Sequence, residues 1–169
     1  MTRCPYGFTK NELIASWALA IVAAGALTVL GWLPKLTGDV YAQALFNVVA
    51  SSDLVPLQAD VLRFVVGATE LAVVLLLLIP ATRVYGGLLA VFTMLGALTS
   101  HLITPLGIAG TMLLGGQPQV IGGETIPGTN PILFPLGVVI LLLGAAVTAI
   151  HRRQLPIIGA AAQPTAATG

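Results

Sequence analysis

The sequence predicts an all-α protein: a polytopic membrane four-helix bundle with an interfacial helix after the first span. Three observations predict it. Hydrophobic residues make up 57% of the 169-residue chain, and its mean hydropathy is +0.99. Charged residues make up only 8%, against about 25% in an ordinary soluble domain. Four stretches are long and apolar enough to supply the roughly 20 helical residues that cross a bilayer core. A soluble fold of this size has too much surface for its volume to hide so much apolar side chain. The net charge of +1 leaves no basic surface for nucleic acid. The single cysteine, Cys4, permits no disulfide within the chain, no CxxC pair and no zinc knuckle. It is expected to be an ordinary cytosolic thiol.

The first span opens at Thr9-Lys10-Asn11-Glu12, which fits a capping box that satisfies free amides at a helix start. Leu13 to Pro34 then carry no charge. This stretch is longer than the apolar core of a signal peptide and has no A-x-A site after it, so it is expected to be retained. Residues 37–60 are too polar to span, and Val40–Ala50 reads as a short interfacial or re-entrant helix, the interfacial form being favoured because such segments commonly lie at the headgroup boundary. The second span runs to Pro80, which lacks an amide donor and ends the helix. A tight turn at Ala81-Thr82-Arg83 makes spans two and three an antiparallel hairpin. Residues 109–130 are rich in Gly and Pro, which predicts turns and a β-hairpin around Val120–Ile126, forming either a lid or a docking surface. Asn130-Pro131 reads as an N-cap and first helical position for the fourth span, which ends at His151-Arg152-Arg153. The chain is read as one transmembrane domain over 1–159, with spans at about 11–33, 61–80, 84–108 and 131–151. A disordered tail, 160–169, follows.

Basic residues set the orientation. Arg3, Lys10, Arg83, Arg152 and Arg153 fall on one side, and Lys35 and Arg63 on the other. Both termini are therefore expected in the cytoplasm, with His151 in a basic anchor at that boundary. Small residues recur at helical spacing: Ser16, Ala20, Ala24 and Thr28 in span one, Gly86 and Ala90 in span three, Gly144 and Thr148 in span four. Such stripes allow the close packing that holds helices together in lipid, within the bundle or in a homo-oligomer.

Glu70 is the most informative residue, because a carboxylate near mid-membrane is expensive and must be protonated, paired or next to water. Arg63, Gly67 and Glu70 share one helical stripe. Arg63 is expected to snorkel outward, away from Glu70, across an axial gap of about 10 Å. His101, on the neighbouring antiparallel helix and within about a turn and a half in depth, is the expected partner. Pro105, four residues on, frees the His101 carbonyl as an acceptor at that level. Lys35 would complete a polar cluster of Lys35, Arg63, Glu70 and His101 in the outer half. It reads either as a pocket for a small molecule or proton, or as a device fixing helix register. No metal-ligand spacing, phosphate loop or nucleophile–base pair accompanies it.

Pro34-Lys35-Leu36-Thr37-Gly38, Arg63 with Gly67-x-x-Glu70, Pro80, Arg83-x-x-Gly86-Gly87, Met94 and Thr99-Ser100-His101 follow one another in an order that resembles the DoxX family of small four-helix membrane proteins. The resemblance covers about Trp32 to Thr104. It implies a bacterial or archaeal cytoplasmic (inner) membrane protein, and it transfers family polar positions to Lys35, Glu70 and His101. Some members of that family are associated with membrane redox complexes, including quinone-linked ones. The expectation is a small integral subunit with no activity of its own and no covalent cofactor. Quinone is the candidate ligand, and a membrane or periplasmic redox protein the candidate partner. The alternatives are a non-catalytic scaffold or assembly protein and a small proton-coupled transporter using Glu70.

Overall fold

The computed structural model describes residues 8–52, 56–113, 117–121 and 123–155. Cys4 and the tail from 160 onward lie outside the described residues. The first span, Lys10–Thr37, is continuous but not uniform. It comprises α1 (Lys10–Ala26), a π-helical turn (Leu27–Trp32) and α2 (Leu33–Thr37). The capping box forms: Thr9 Oγ1 accepts from the Glu12 amide at 3.2 Å, and Glu12 Oε2 accepts from the Thr9 amide at 2.8 Å. Gly38 closes α2 with φ +76°, a left-handed conformation natural to glycine. Asp39 then caps the interfacial helix α3 (Val40–Ala50), accepting from Tyr41 N and Ala42 N at 2.9 and 3.2 Å.

The remaining spans are α4 (Ala59–Leu78), α5 (Arg83–Ile103) and α6 (Leu133–His151), with a 3-10 turn at Arg152–Gln154. α5 stops at Ile103, before Pro105, and so is shorter than the sequence suggests. Asn130 does not cap α6 directly. Its Oδ1 accepts from Ile132 N at 3.2 Å, and the helix starts at Leu133. The Gly/Pro-rich segment contains the expected hairpin, β1 (Gln119–Ile121) paired antiparallel with β2 (Glu124–Ile126). It packs on α3: Ile126, Met112 and Leu113 bury against Ala44, and Tyr41 Oη donates to the Thr125 carbonyl at 3.2 Å. The two ends of the bundle are called here the hairpin end and the turn end, the latter after the α4–α5 turn.

All four spans meet in one core. Ala20, Ala23, Ala24 and Leu27 face Val73, Val74 and Leu77 of α4, Ala90 and Met94 of α5, and Ile140 and Val147 of α6. The small stripes are therefore used within the chain. Apolar burial drives little association in hydrocarbon, so close contact carries the stability. The α5–α6 crossing is tightest at Gly87 and Gly144, where a Cβ on Gly87 would stand 2.8 Å from the Gly144 carbonyl and 2.5 Å from Thr148 Oγ1. The outer faces carry exposed Ile21, Val29, Phe64 and Leu142, as lipid contact requires.

Gly87→Val should cost about 1–3 kcal/mol by forcing α5 from α6. Gly25→Ala, where a Cβ meets nothing within 4 Å, should leave stability unchanged or raise it by up to about 1 kcal/mol. Unfolding of the two variants in detergent checks both.

Candidate functional site

α4 presents Arg63, Gly67 and Glu70 on one face, as their spacing requires, and all three meet Lys35 of the first span. Lys35 Nζ donates to both oxygens of Glu70, at 2.8 and 2.6 Å, and both side chains are buried. Arg63 Nη1 donates to the Lys35 backbone carbonyl, and its Nη2 pairs with Asp60 Oδ1 at 3.1 Å. Arg63 thus places a cation at the carbonyl-rich end of α2, where the helix dipole favours it. Gly67 makes room beneath: a Cβ there would stand 3.0 Å from Lys35 Cβ. On the other side of the carboxylate, a Cβ on Gly31 would stand 3.0 Å from Glu70 Oε2. Gly31 lies in the π-helical turn. Such a turn rotates everything after it relative to a straight α-helix, and it sets where Lys35 points.

The expected Glu70–His101 hydrogen bond is absent. His101 is buried and its Nδ1 lies 2.7 Å from the Gly107 carbonyl, in the turn that follows α5. A carbonyl only accepts, so Nδ1 carries the proton, and a neutral ring keeps Nε2 as an acceptor. Phe134 holds the ring edge-on at 5.6 Å. The physical reason for the difference is that Pro105 and Gly107 fold the chain back over the end of α5, which supplies a local acceptor. Lys35, brought round by the π turn, takes the carboxylate instead. His151 also departs from expectation: it is buried between α1 and α6 rather than exposed beside Arg152 and Arg153.

Glu70 and His101 nevertheless line one cavity of about 400 Å³, enclosed by the π turn, α3, α4, α5 and α6. Its walls are mainly apolar, including Leu30, Phe46, Met94 and Ile140. Leu30 and Phe92 on its rim are 56% and 68% exposed, so it opens sideways through the lipid-facing surface. The wall hydroxyls of Thr69, Thr93 and Ser100 each donate back to a carbonyl of their own helix. The groups left to meet a ligand are the His101 ring and the Lys35–Glu70 pair. Among the described residues no three His, Cys, Asp or Glu side chains gather as a metal would need.

Of the four polar residues that the sequence singles out, Lys35, Glu70 and His101 line the cavity and Arg63 does not; the apolar walls come from several separate elements and have no local signature in the sequence. Comparison of the chain with family models, with curated proteins and with solved structures gives no match in any of the three.

Breaking one half of a buried pair leaves an uncompensated charge and costs about 3–5 kcal/mol, whereas replacing both halves by apolar groups is often nearly neutral. Lys35→Met and Glu70→Leu alone should therefore each destabilise strongly, and the double variant should be more stable than either. A double-mutant cycle on unfolding in detergent or bicelles reads this out.

Proposed function

We propose that this chain is a small, DoxX-like integral membrane subunit that holds a lipid-soluble, hydrogen-bonding molecule of the quinone class in its lateral cavity and serves a membrane redox assembly. One observation carries the reading: an apolar cavity that opens towards lipid ends at a buried ion pair and an imidazole whose Nε2 has no hydrogen-bond partner among the described residues. Pockets for small organic molecules combine apolar walls with a few placed polar groups in this way. A long apolar tail would pass between Leu30 and Phe92 into lipid, and the polar head would lie between the α4 and α5 polar groups.

His101 Nε2 suits the hydroxyl of a reduced head group, and oxidation of that hydroxyl would release its proton to the ring. The second proton and both electrons would leave to a partner protein, which agrees with a subunit that has no activity of its own. Lys35 and Glu70 would act as a fixed dipole that orients the head. The positive-inside reading puts the turn end in the cytoplasm and this cavity towards the outer leaflet.

A scaffold role is favoured by one feature, the mutual satisfaction of Lys35 and Glu70, which needs no ligand. Transport is less well supported. The core cluster between the cavity and the turn end is apolar from Ala20 to Val147, which offers a proton no relay.

Ala97→Phe tests the reading without touching a polar group, since Ala97 lines the cavity. Protein purified gently from its native membrane should retain quinone and co-elute with an oxidoreductase. Ala97→Phe should lose the quinone while keeping its melting temperature. Wild-type protein that retains no quinone, and a variant that behaves identically, would favour the scaffold.

A further inference from the structure

The turn end holds a second buried polar set, remote from the cavity. Arg83, the first residue of α5, is fully buried. Its Nε donates to the Leu77 carbonyl at 2.8 Å, its Nη1 donates to Ser16 Oγ at 2.9 Å, and its guanidinium carbon lies 4.0 Å from the centre of the Trp17 ring. Ser16 Oγ lies 2.6 Å from His151 Nε2. Phe8, just before the first helix, rests its ring 4.9 Å from that of His151.

Every one of these partners of Arg83 is neutral. The chain's carboxylates are engaged or distant: Glu12 with Thr9, Asp39 at the α3 cap, Asp60 with Arg63, Glu70 with Lys35, and Glu124 on the hairpin. Asp53 lies outside the described residues. At this end Arg83 Nη2, His151 Nδ1 and Gln154 Oε1 are buried and lack a hydrogen-bond partner among the described residues. The two nitrogens are donors. Arginine can only donate, and the Ser16 hydroxyl, accepting from Arg83, has its own proton for His151 Nε2, which leaves Nδ1 protonated. Gln154 Oε1 can match His151 Nδ1, which leaves Arg83 Nη2 as the unmatched donor of a buried cation with neutral partners only; such a charge is costly alone and calls for an anionic acceptor.

We infer that Arg83, Ser16 and His151 form a phosphate site that takes the headgroup of an anionic phospholipid, with Phe8 as its flap. The shared chemistry is a phosphate oxyanion, which presents several acceptors to a guanidinium fork. The lipid source is favoured by the surroundings. Leu78, Ile79 and Tyr85 beside the turn are exposed apolar groups on which acyl chains can lie. Lys10, Arg152 and Arg153 are exposed at the same end and add attraction to an anionic membrane surface.

The test uses the full chain in nanodiscs of zwitterionic phosphatidylcholine. One arm adds phosphatidylglycerol, and another adds soluble inorganic phosphate. Readouts are melting temperature, lipid retained after delipidation, and Trp17 fluorescence in a Trp32→Phe background. Phosphatidylglycerol should raise the melting temperature and be retained about tenfold or more above phosphatidylcholine. Arg83→Gln should abolish that preference, and Arg152→Gln with Arg153→Gln should keep most of it. Because Arg83→Gln removes a buried contact and can fail to fold, Phe8→Ala, outside the helices, is the second variant. It should speed lipid exchange and the Trp17 response. A response to inorganic phosphate alone supports the site and makes its source soluble phosphate. No response to either anion in wild type and Phe8→Ala overturns the inference, as does undiminished retention by a folded Arg83→Gln.

Discussion

An ion pair taken out of water and placed between two transmembrane helices constrains this protein more than any other contact. Its two charges must meet, because neither can be solvated by hydrocarbon. Lys35 and Glu70 meet at 2.6 Å, and several otherwise unconnected features follow from that need. α4 must be bare at Gly67 to admit the Lys35 Cβ and the Leu36 side chain. The first span must be bare at Gly31 to admit the carboxylate. Arg63 has to end α2 rather than compete for Glu70, and it does so through the Lys35 carbonyl. The three residues of one α4 stripe thus hold a single lysine by its carbonyl, its Cβ and its ammonium.

Much of this was legible in the sequence. Composition and hydropathy gave four spans, because lipid imposes a length and a polarity that few sequences meet by accident. The capping box at Thr9, the Val40–Ala50 helix and the 120–126 hairpin each rest on interactions among near neighbours, and each formed. Glu70 announced itself by its cost. The identity of its partner did not, because that depends on a π turn whose extra residue leaves no mark on hydropathy. Counting along straight helices puts His101 at the right depth, and the histidine does face the same cavity. Its ring is held by a carbonyl that a glycine turn brings back, which is a tertiary event. His151 misled for a related reason. Next to two arginines it reads as a surface residue, whereas Ser16, far away in sequence, draws it inward.

Two polar clusters at opposite ends of the bundle, with an apolar core between them, give the fold a simple division. At the hairpin end an ion pair and an imidazole border a cavity reached from the side. At the turn end a buried arginine joins α1, α4 and α6 through Ser16, Leu77 and His151. Neither cluster requires solvent to pass from one end to the other.

Solid-state NMR of the chain in lipid bilayers, with nitrogen-15 at the Lys35 side chain and carbon-13 at the Glu70 carboxyl, measures the decisive contact directly. A strong dipolar coupling between the two labels is expected, corresponding to ammonium–carboxylate contacts of 2.6 and 2.8 Å. No coupling, with a glutamate carbon in its protonated form, would mean that the acid is accommodated without the lysine and that the packing described around the pair has another cause.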